Sequence, residues 1–228
     1  MNLNRHIRKE ASRGFTLVEL LVVIGIMGIV GGLVVGLGTV AGKKRKVTRA
    51  KADLAKIQTA ISDYESTYDQ PPPGNPSSVM MSSLYYELNG SRYSPTSTNY
   101  TTLDGQNTLT PTEVAGHFGV GGFLNSENSE TFLYVKARQV AEVVSGSVSG
   151  VARILVSDAD GPPTDMIAGS VDGTSQQVNP WKYDEVSPQY NRQTYDLWIE
   201  IVVGDKKDPS SSATAPEFLQ QTEVISNW

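Results

Sequence analysis

The feature that most constrains this chain is an apolar run without any charged residue from position 20 to position 42. As a helix, these 23 residues would be about 35 Å long, which is enough to cross a lipid bilayer with some tilt. A single acid, Glu19, stands directly before the run. An ionised carboxylate that faced lipid there would be strongly destabilising. The sequence therefore predicts a membrane helix in which this carboxylate needs a partner.

Helical periodicity continues beyond the apolar run as far as residue 69. Apolar residues recur at alternating spacings of three and four, which places them on one stripe of a helix. They are Val47, Ala50, Leu54, Ile57, Ile61, Tyr64 and Tyr68. The sequence QPPPGNP at 70–76 then ends the pattern, because consecutive prolines cannot continue the hydrogen-bond ladder. We expect one helix over about 15–69, with its stripe covered by the rest of the chain.

The remainder of the chain predicts a small head domain of α+β class. Residues 77–88 indicate a short helix, residues 89–111 have the composition of a long surface loop, and residues 137–144 fit a strand or a helix. Three segments have the β-branched and aromatic content of strands: 131–135, 151–157 and 195–203. We expect a small antiparallel sheet that packs on the stripe of the long helix.

Charge and composition exclude several classes of function. Residues 1–69 carry 11 Lys or Arg against 6 Asp or Glu, whereas residues 70–228 carry 8 against 18. The acidic second part argues against nucleic-acid binding. The absence of cysteine excludes disulfides and thiol catalysis. Outside the first 14 residues His117 is the only histidine, so no catalytic triad can be assembled and we do not expect an enzyme.

The first 14 residues are polar and basic, and the apolar run that follows is too long for an ordinary secretory signal. From these features alone, an uncleaved signal anchor is the simplest interpretation. Counting charges does not settle the orientation, because the flank after the run has more Lys and Arg than the flank before it.

The segment RGFTLVELLVVIGIMG at 13–28 resembles the class III signal of type IV pilins and type II secretion pseudopilins. It has a basic leader that ends in Gly14, then Phe15, an acid at the fifth position counted from Phe15, and a long apolar helix. Four later segments occur in the order seen in major pseudopilins: VNPWKY at 178–183, YDLW at 195–198, GD at 204–205 and EVISNW at 223–228. The intervening residues 89–177 do not match and form a divergent insertion.

The resemblance implies a pilin-like fold with four parts: a cleaved leader (1–14), a transmembrane and polymerisation half-helix (15–42), an amphipathic periplasmic half-helix (43–69) and a periplasmic head (70–228). A prepilin peptidase would cut between Gly14 and Phe15 and methylate the new amine. The protein would be a single-pass inner-membrane protein, with its N-terminus cytoplasmic and its head periplasmic. It would polymerise with itself and other pseudopilins on the assembly platform of type II secretion. A type IV pilus or competence-type minor pilin, and a signal-anchored binding domain that never polymerises, are the alternatives.

The resemblance also gives roles to individual residues. After cleavage Glu19 could neutralise the Phe15 amine of a neighbouring subunit or of its own helix; otherwise it would simply reach the interface. Gly28, Gly32 and Gly36 form a small-xxx-small ladder that suits close helix packing or local unwinding, although glycine is also generally tolerated in membrane helices.

Calcium is the one cofactor that the resemblance suggests. Major pseudopilins bind it in the loop before the C-terminal segment, where Asp205 and Glu223 match acidic positions of this chain. A second aspartate of the motif is missing, and Lys206 and Lys207 add positive charge. Otherwise we expect no cofactor. A second acidic loop, SDADGPPTD at 157–165, lacks the full ligand series of an EF-hand and is typical of a surface turn.

Overall fold

A computed structural model describes residues 16–144, 148–207 and 218–228, with side chains described throughout these ranges except at 32–41, 205–207 and 218–219. The chain divides into two compact units, Met1–Gly42 and Lys43–Trp228. Helix α1, Leu17–Tyr68, supplies the described part of the first unit and continues into the second. The α+β class predicted from the sequence is confirmed, with a long N-terminal helix followed by antiparallel sheets.

In the described residues, no helix combines the length and the apolar character that crossing a membrane requires. The membrane span predicted at 15–42 includes Phe15 and the side chains at 32–41, and these lie outside the described residues.

In the second unit, α1 buries the stripe that the spacing predicts. Ala50, Leu54, Ile57, Ile61 and Tyr64 are all buried, whereas Val47 and Tyr68 are partly buried against the same core. The helix ends at Tyr68, and Asp69 adopts a left-handed conformation with φ of 58°. A residue of this conformation directly after a helix redirects the chain, and here the proline-rich segment follows it.

The head contains two short helices and ten strands in its described part. The helices are α2 (Leu84–Asn89) and α3 (Pro111–Phe118). The strands are β1 (Ser91–Ser94), β2 (Asn99–Thr102), β3 (Thr108–Leu109), β4 (Val140–Val143), β5 (Ala152–Ser157), β6 (Ile167–Val171), β7 (Thr174–Pro180), β8 (Lys182–Asp184), β9 (Asp196–Lys207) and β10 (Phe218–Ser226). Short 3₁₀ turns lie at Leu124–Ser126, Ala137–Gln139 and Pro163–Asp165.

These strands form three antiparallel groups instead of the one sheet expected. Strands β1–β2–β3 make a small sheet, β4–β5–β7–β6 close into a four-stranded barrel, and β10–β9–β8 make a second three-stranded sheet. In the last sheet Trp198 lies opposite both Lys182 and Ser226. Leu197, Ile199 and Ile201 of β9 are fully buried, so one face of this sheet contributes to the core beside α1.

Two strand predictions are confirmed and three other predictions are wrong. Strands β5 and β9 lie where 151–157 and 195–203 predict them. The loop expected at 89–111 instead contains β1, β2 and β3. Residues 131–135 are extended but not a strand, because the Phe132 and Leu133 amides both donate to the Leu88 carbonyl at 2.8 Å. The helix expected at 77–88 begins only at Leu84.

A buried carboxylate, Glu87 of α2, connects the long helix to the head. It accepts a hydrogen bond from the Tyr64 hydroxyl at 3.0 Å and from the backbone amides of Leu124 and Asn125, both at 2.9 Å. Glu87 is fully buried, and burial raises the pKa of its carboxyl group above the ordinary value while the three donors oppose this rise. The Asn125 side-chain amide donates to the Glu87 carbonyl, and its oxygen accepts from Tyr68. Both tyrosines of the stripe are thereby held by the same network.

We expect Glu87→Ala to lower the free energy of unfolding by about 3 kcal/mol, because it leaves two buried amides and one buried hydroxyl without their acceptor. Tyr64→Phe, which removes a single donor, should cost about 1 kcal/mol. Denaturant unfolding of the full chain in detergent measures both. The exposed Glu127 supplies the control, since Glu127→Ala should change stability by less than about 0.5 kcal/mol. Equal effects of Glu87→Ala and Glu127→Ala would contradict this role.

Candidate assembly site

The helix that carries the predicted assembly residues begins with a reciprocal pair of side chains. The Thr16 amide and the Thr16 hydroxyl both donate to Glu19 Oε2 at 2.8 Å, and the Glu19 amide donates back to Thr16 Oγ1 at 3.3 Å. This is the geometry of a capping box, in which a threonine before the helix and a glutamate three residues later satisfy each other's backbone amides. Glu19 therefore has a partner within its own helix. The T-x-x-E spacing of TLVE could have revealed Thr16, which the sequence analysis missed.

The capping box uses only one oxygen of the Glu19 carboxylate. Both donors from Thr16 reach Oε2, and the described residues provide no donor to Oε1. The cleavage residues Gly14 and Phe15 lie outside the described residues. Pairing of Glu19 with a Phe15 amine therefore stays a prediction, and the capping box leaves an oxygen for it.

The start of α1 exposes apolar side chains on all of its sides. Eleven large apolar residues between positions 17 and 30 are at least 44% exposed: Leu17, Val18, Leu20, Leu21, Val22, Val23, Ile24, Ile26, Met27, Ile29 and Val30. Burial of one such side chain is worth about 1.5–3 kcal/mol. A continuous surface of this kind marks a site that lipid or other protein helices cover.

Gly25, Gly28 and Gly31 make no packing contact with the rest of the described residues. A methyl group built on any of the three would meet no described atom within 4 Å beyond the adjacent backbone of its own helix. Glycine inside a helix costs about 1 kcal/mol relative to alanine, so these positions weaken the helix without an internal contact that needs them. Gly32 and Gly36 also belong to α1, but their surroundings lie outside the described residues. The arrangement suits close approach by another helix.

The basic segment after the apolar run binds the head domain. The Lys43 amine donates to the Gln221 side chain at 3.0 Å, and the Lys46 amine to the Val202 carbonyl at 3.3 Å. Arg49 forms an ion pair with Asp158 at 2.7 Å. These contacts hold α1 beside β9, β10 and the loop after β5. Asp158 is thus engaged by a cation, as is Asp165, which pairs with Lys182.

The two residues predicted to bind calcium are not brought together in the described structure. Glu223 lies opposite Ile201, with its carboxylate 3.9 Å from the Lys51 amine. Asp205 lies opposite Gln220 in the strand register, but its side chain is outside the described residues. Over the described ranges, no three His, Asp or Glu side chains are grouped to hold a metal ion. Calcium binding stays a prediction.

His117, the only histidine after the leader, lies in α3 and is buried. Burial lowers the pKa of its imidazole, and neither ring nitrogen forms a hydrogen bond within the described structure. It is a residue of the core beside Phe118.

The described residues thus contain a capped apolar helix start and an amphipathic helical half that packs on an α+β head. Residues 11–35 match the family model described as the prokaryotic N-terminal methylation motif. The chain is also 42% identical over 60 residues to the type II secretion system core protein G of Klebsiella michiganensis. That alignment covers 25% of this chain and 41% of the relative, so the chain matches less than half of that protein's length. No solved structure matches the chain.

We expect Thr16→Val to loosen the start of α1, because valine keeps the shape of threonine but can neither accept from the Glu19 amide nor donate to its carboxylate. Loss of an N-cap costs about 1 kcal/mol, so amide hydrogen exchange at Glu19 should accelerate about fivefold. Exchange measured by NMR on the full chain in detergent tests this. Thr16→Ser keeps the hydroxyl and should exchange like the parent chain; equal acceleration in both variants would contradict the capping box.

Proposed function

We propose that this chain is a pseudopilin subunit of a type II secretion system. After cleavage between Gly14 and Phe15 and methylation of the Phe15 amine, it would polymerise into a periplasmic filament that drives protein secretion. One observation carries the proposal: a prepilin methylation motif at 11–35 opens an apolar helix whose large apolar side chains at 17–30 are exposed in the described structure. The similarity to a type II secretion core protein supports secretion over a pilus or DNA-uptake system.

The proposed role is mechanical and not catalytic. The single subunit would rest in the inner membrane, where lipid covers the apolar helix, with the leader cytoplasmic and the head periplasmic. On assembly the same side chains would leave lipid and pack against the helices of neighbouring subunits. Gly25, Gly28 and Gly31 would allow such helices to approach closely, since none of the described residues occupies the space beside them. The partners would be other pseudopilins, the prepilin peptidase and the assembly platform.

Glu19 gives the assembly its register in this proposal. In a low-dielectric bundle an unpaired carboxylate is strongly destabilising, and a neighbour's Phe15 amine removes that penalty only at the correct axial position. The capping box fixes the carboxylate at the first turn of α1 before the neighbour arrives. Pairing then requires no search through side-chain rotamers.

Mass spectrometry of the membrane fraction tests the processing step. We expect the chain to have lost residues 1–14 and to carry one additional methyl group on Phe15, because the residues around the junction match the methylation motif. A Gly14→Leu variant, which blocks the junction with a bulky side chain, should keep its leader. An intact leader in the parent chain would overturn the pseudopilin proposal.

Cysteine cross-linking tests the charge pairing, since the chain has no cysteine of its own. With Val30→Cys as the only thiol, oxidation of processed subunits should give disulfide-linked dimers wherever the helices pack together. Glu19→Gln keeps a residue suited to a capping box but removes the charge. We expect it to be processed normally and to lower the yield of dimers more than tenfold, because a buried amine is left unpaired.

Two variants separate charge from capping in this assay. Thr16→Val keeps the Glu19 charge and should cross-link to within about fivefold of the parent, since the cap is worth only about 1 kcal/mol. Asp63→Ala removes an exposed acid farther along α1 and should have no effect. Unimpaired cross-linking of Glu19→Gln would refute the pairing, whereas its loss in Thr16→Val alone would assign the effect to helix capping.

A further inference from the structure

A pocket of about 440 Å³ lies on the sheet β8–β9–β10. In β9 the side chains alternate, so that Leu197, Ile199 and Ile201 are buried in the core while Trp198 and Glu200 lie on the opposite face. The pocket is on this second face. Its lining is drawn from all three strands, the loop between β8 and β9, and a residue two positions beyond the end of β10: Asp184, Gln189, Tyr190, Asp196, Trp198, Glu200, Val224 and Trp228.

Three aromatic rings form one side of the pocket and remain accessible. The rings of Tyr190 and Trp228 are stacked, with their centroids 4.1 Å apart and an interplanar angle of 7°, and Trp198 lies 5.7 Å from Trp228. Tyr190 is 62% exposed and Trp228 is 43% exposed. Trp181 differs, since it is buried in the core. Two stacked rings that are left open to solvent in a concave site offer a flat surface to a ligand.

The charged groups of the pocket are all of one sign. Its lining contains three carboxylates and no lysine or arginine. Asp184 and Asp196 lie directly opposite each other on β8 and β9, an arrangement of like charges that destabilises a sheet. Asp196 is compensated by the backbone amides of Gln189, Tyr190 and Asn191 at 2.6–2.9 Å. Lys182 lies opposite Trp198 on the same face, and its ammonium group is 5.9 Å from the centroid of the Trp198 ring. This cation is buried and pairs with Asp165, so Trp198 and Asp165 already engage it.

We propose that this pocket binds a lysine or arginine side chain presented by a partner protein. The cation would lie against the exposed ring of Trp228 and pair with Glu200, because Lys182 already lies at the Trp198 ring. Aromatic faces attract ammonium and guanidinium groups, and guanidinium also stacks on planar rings. A cation would relieve the repulsion among the three carboxylates, which a neutral ligand such as a saccharide could not do. The inference rests on the head domain alone and does not depend on the proposed filament.

NMR of the indole N–H groups tests this proposal on the full chain in detergent. The chain has three tryptophans, and Trp181 serves as the internal control for the two in the pocket. The probe is the capped peptide Gly-Gly-Arg-Gly-Gly, and its matched control carries citrulline, a neutral isostere of arginine. We expect saturable shifts at Trp198 and Trp228 but not at Trp181. The citrulline peptide should bind at least about tenfold more weakly than the arginine peptide. Added salt should lower the affinity of the arginine peptide.

Variants assign the binding to the pocket. Glu200→Gln and Trp228→Leu should each lower the affinity for the arginine peptide about five- to tenfold. The first variant removes a charge and the second removes an aromatic face, while both leave the core intact. Tyr134→Ala, which removes an aromatic ring that is 86% exposed elsewhere in the head, should bind like the parent chain. Equal binding of the two peptides would overturn the proposal in favour of a neutral ligand. Absence of shifts, or shifts that persist in both variants, would also overturn it.

Discussion

The packing of α1 on the head depends on the side chain of Tyr64. Its ring belongs to the apolar stripe of α1 and its hydroxyl donates to Glu87, so one side chain contributes both to the apolar core and to the buried polar network. Apolar contact alone is nondirectional and would allow the helix to slide along the head by a turn. The Glu87 carboxylate prevents this, because it is already held by two amides of the 3₁₀ turn at Leu124–Ser126. The register between helix and head is thereby fixed at one position.

That fixed register matters because the head also binds α1 farther toward its start. Lys43, Lys46 and Arg49 contact groups on β10, β9 and the loop after β5. Ion pairs and amine contacts at such exposed positions are individually weak. They form at the register that the buried network sets, and they hold further turns of the helix against the head.

The sequence predicted the elements that have a strong period and missed those that do not. The stripe of α1 and its end before the prolines were predictable, because the spacing of three and four continues over many turns. Strand β9 was predictable from its β-branched and aromatic residues. Strands β1 and β2 were not, since Ser91–Ser94 and Asn99–Thr102 consist mainly of polar residues without alternation. At 131–135 the composition suits a strand, but the backbone bonds to the end of α2, which no local pattern reveals.

The same distinction applies to the candidate sites. Thr16 was within reach of the sequence, because its partner Glu19 is three residues away. Glu87 was not, since a glutamate in a six-residue helix is ordinarily solvated and its donors are 23 to 38 residues away along the chain. The aromatic pocket combines residues from 184 to 228 and depends on strand register. All three tryptophans are equally visible in the sequence, and only the fold separates the buried Trp181 from the two in the pocket.

The geometry at Glu19 reconciles a helix cap with an intersubunit contact, which would otherwise compete for one side chain. A carboxylate has two oxygens, and the Thr16 donors both converge on Oε2. If the filament proposal holds, Oε1 can accept from a neighbour's amine without opening the cap. The cap would then keep the Glu19 carboxylate oriented in the lone subunit, so that the intersubunit pair forms between groups already in position.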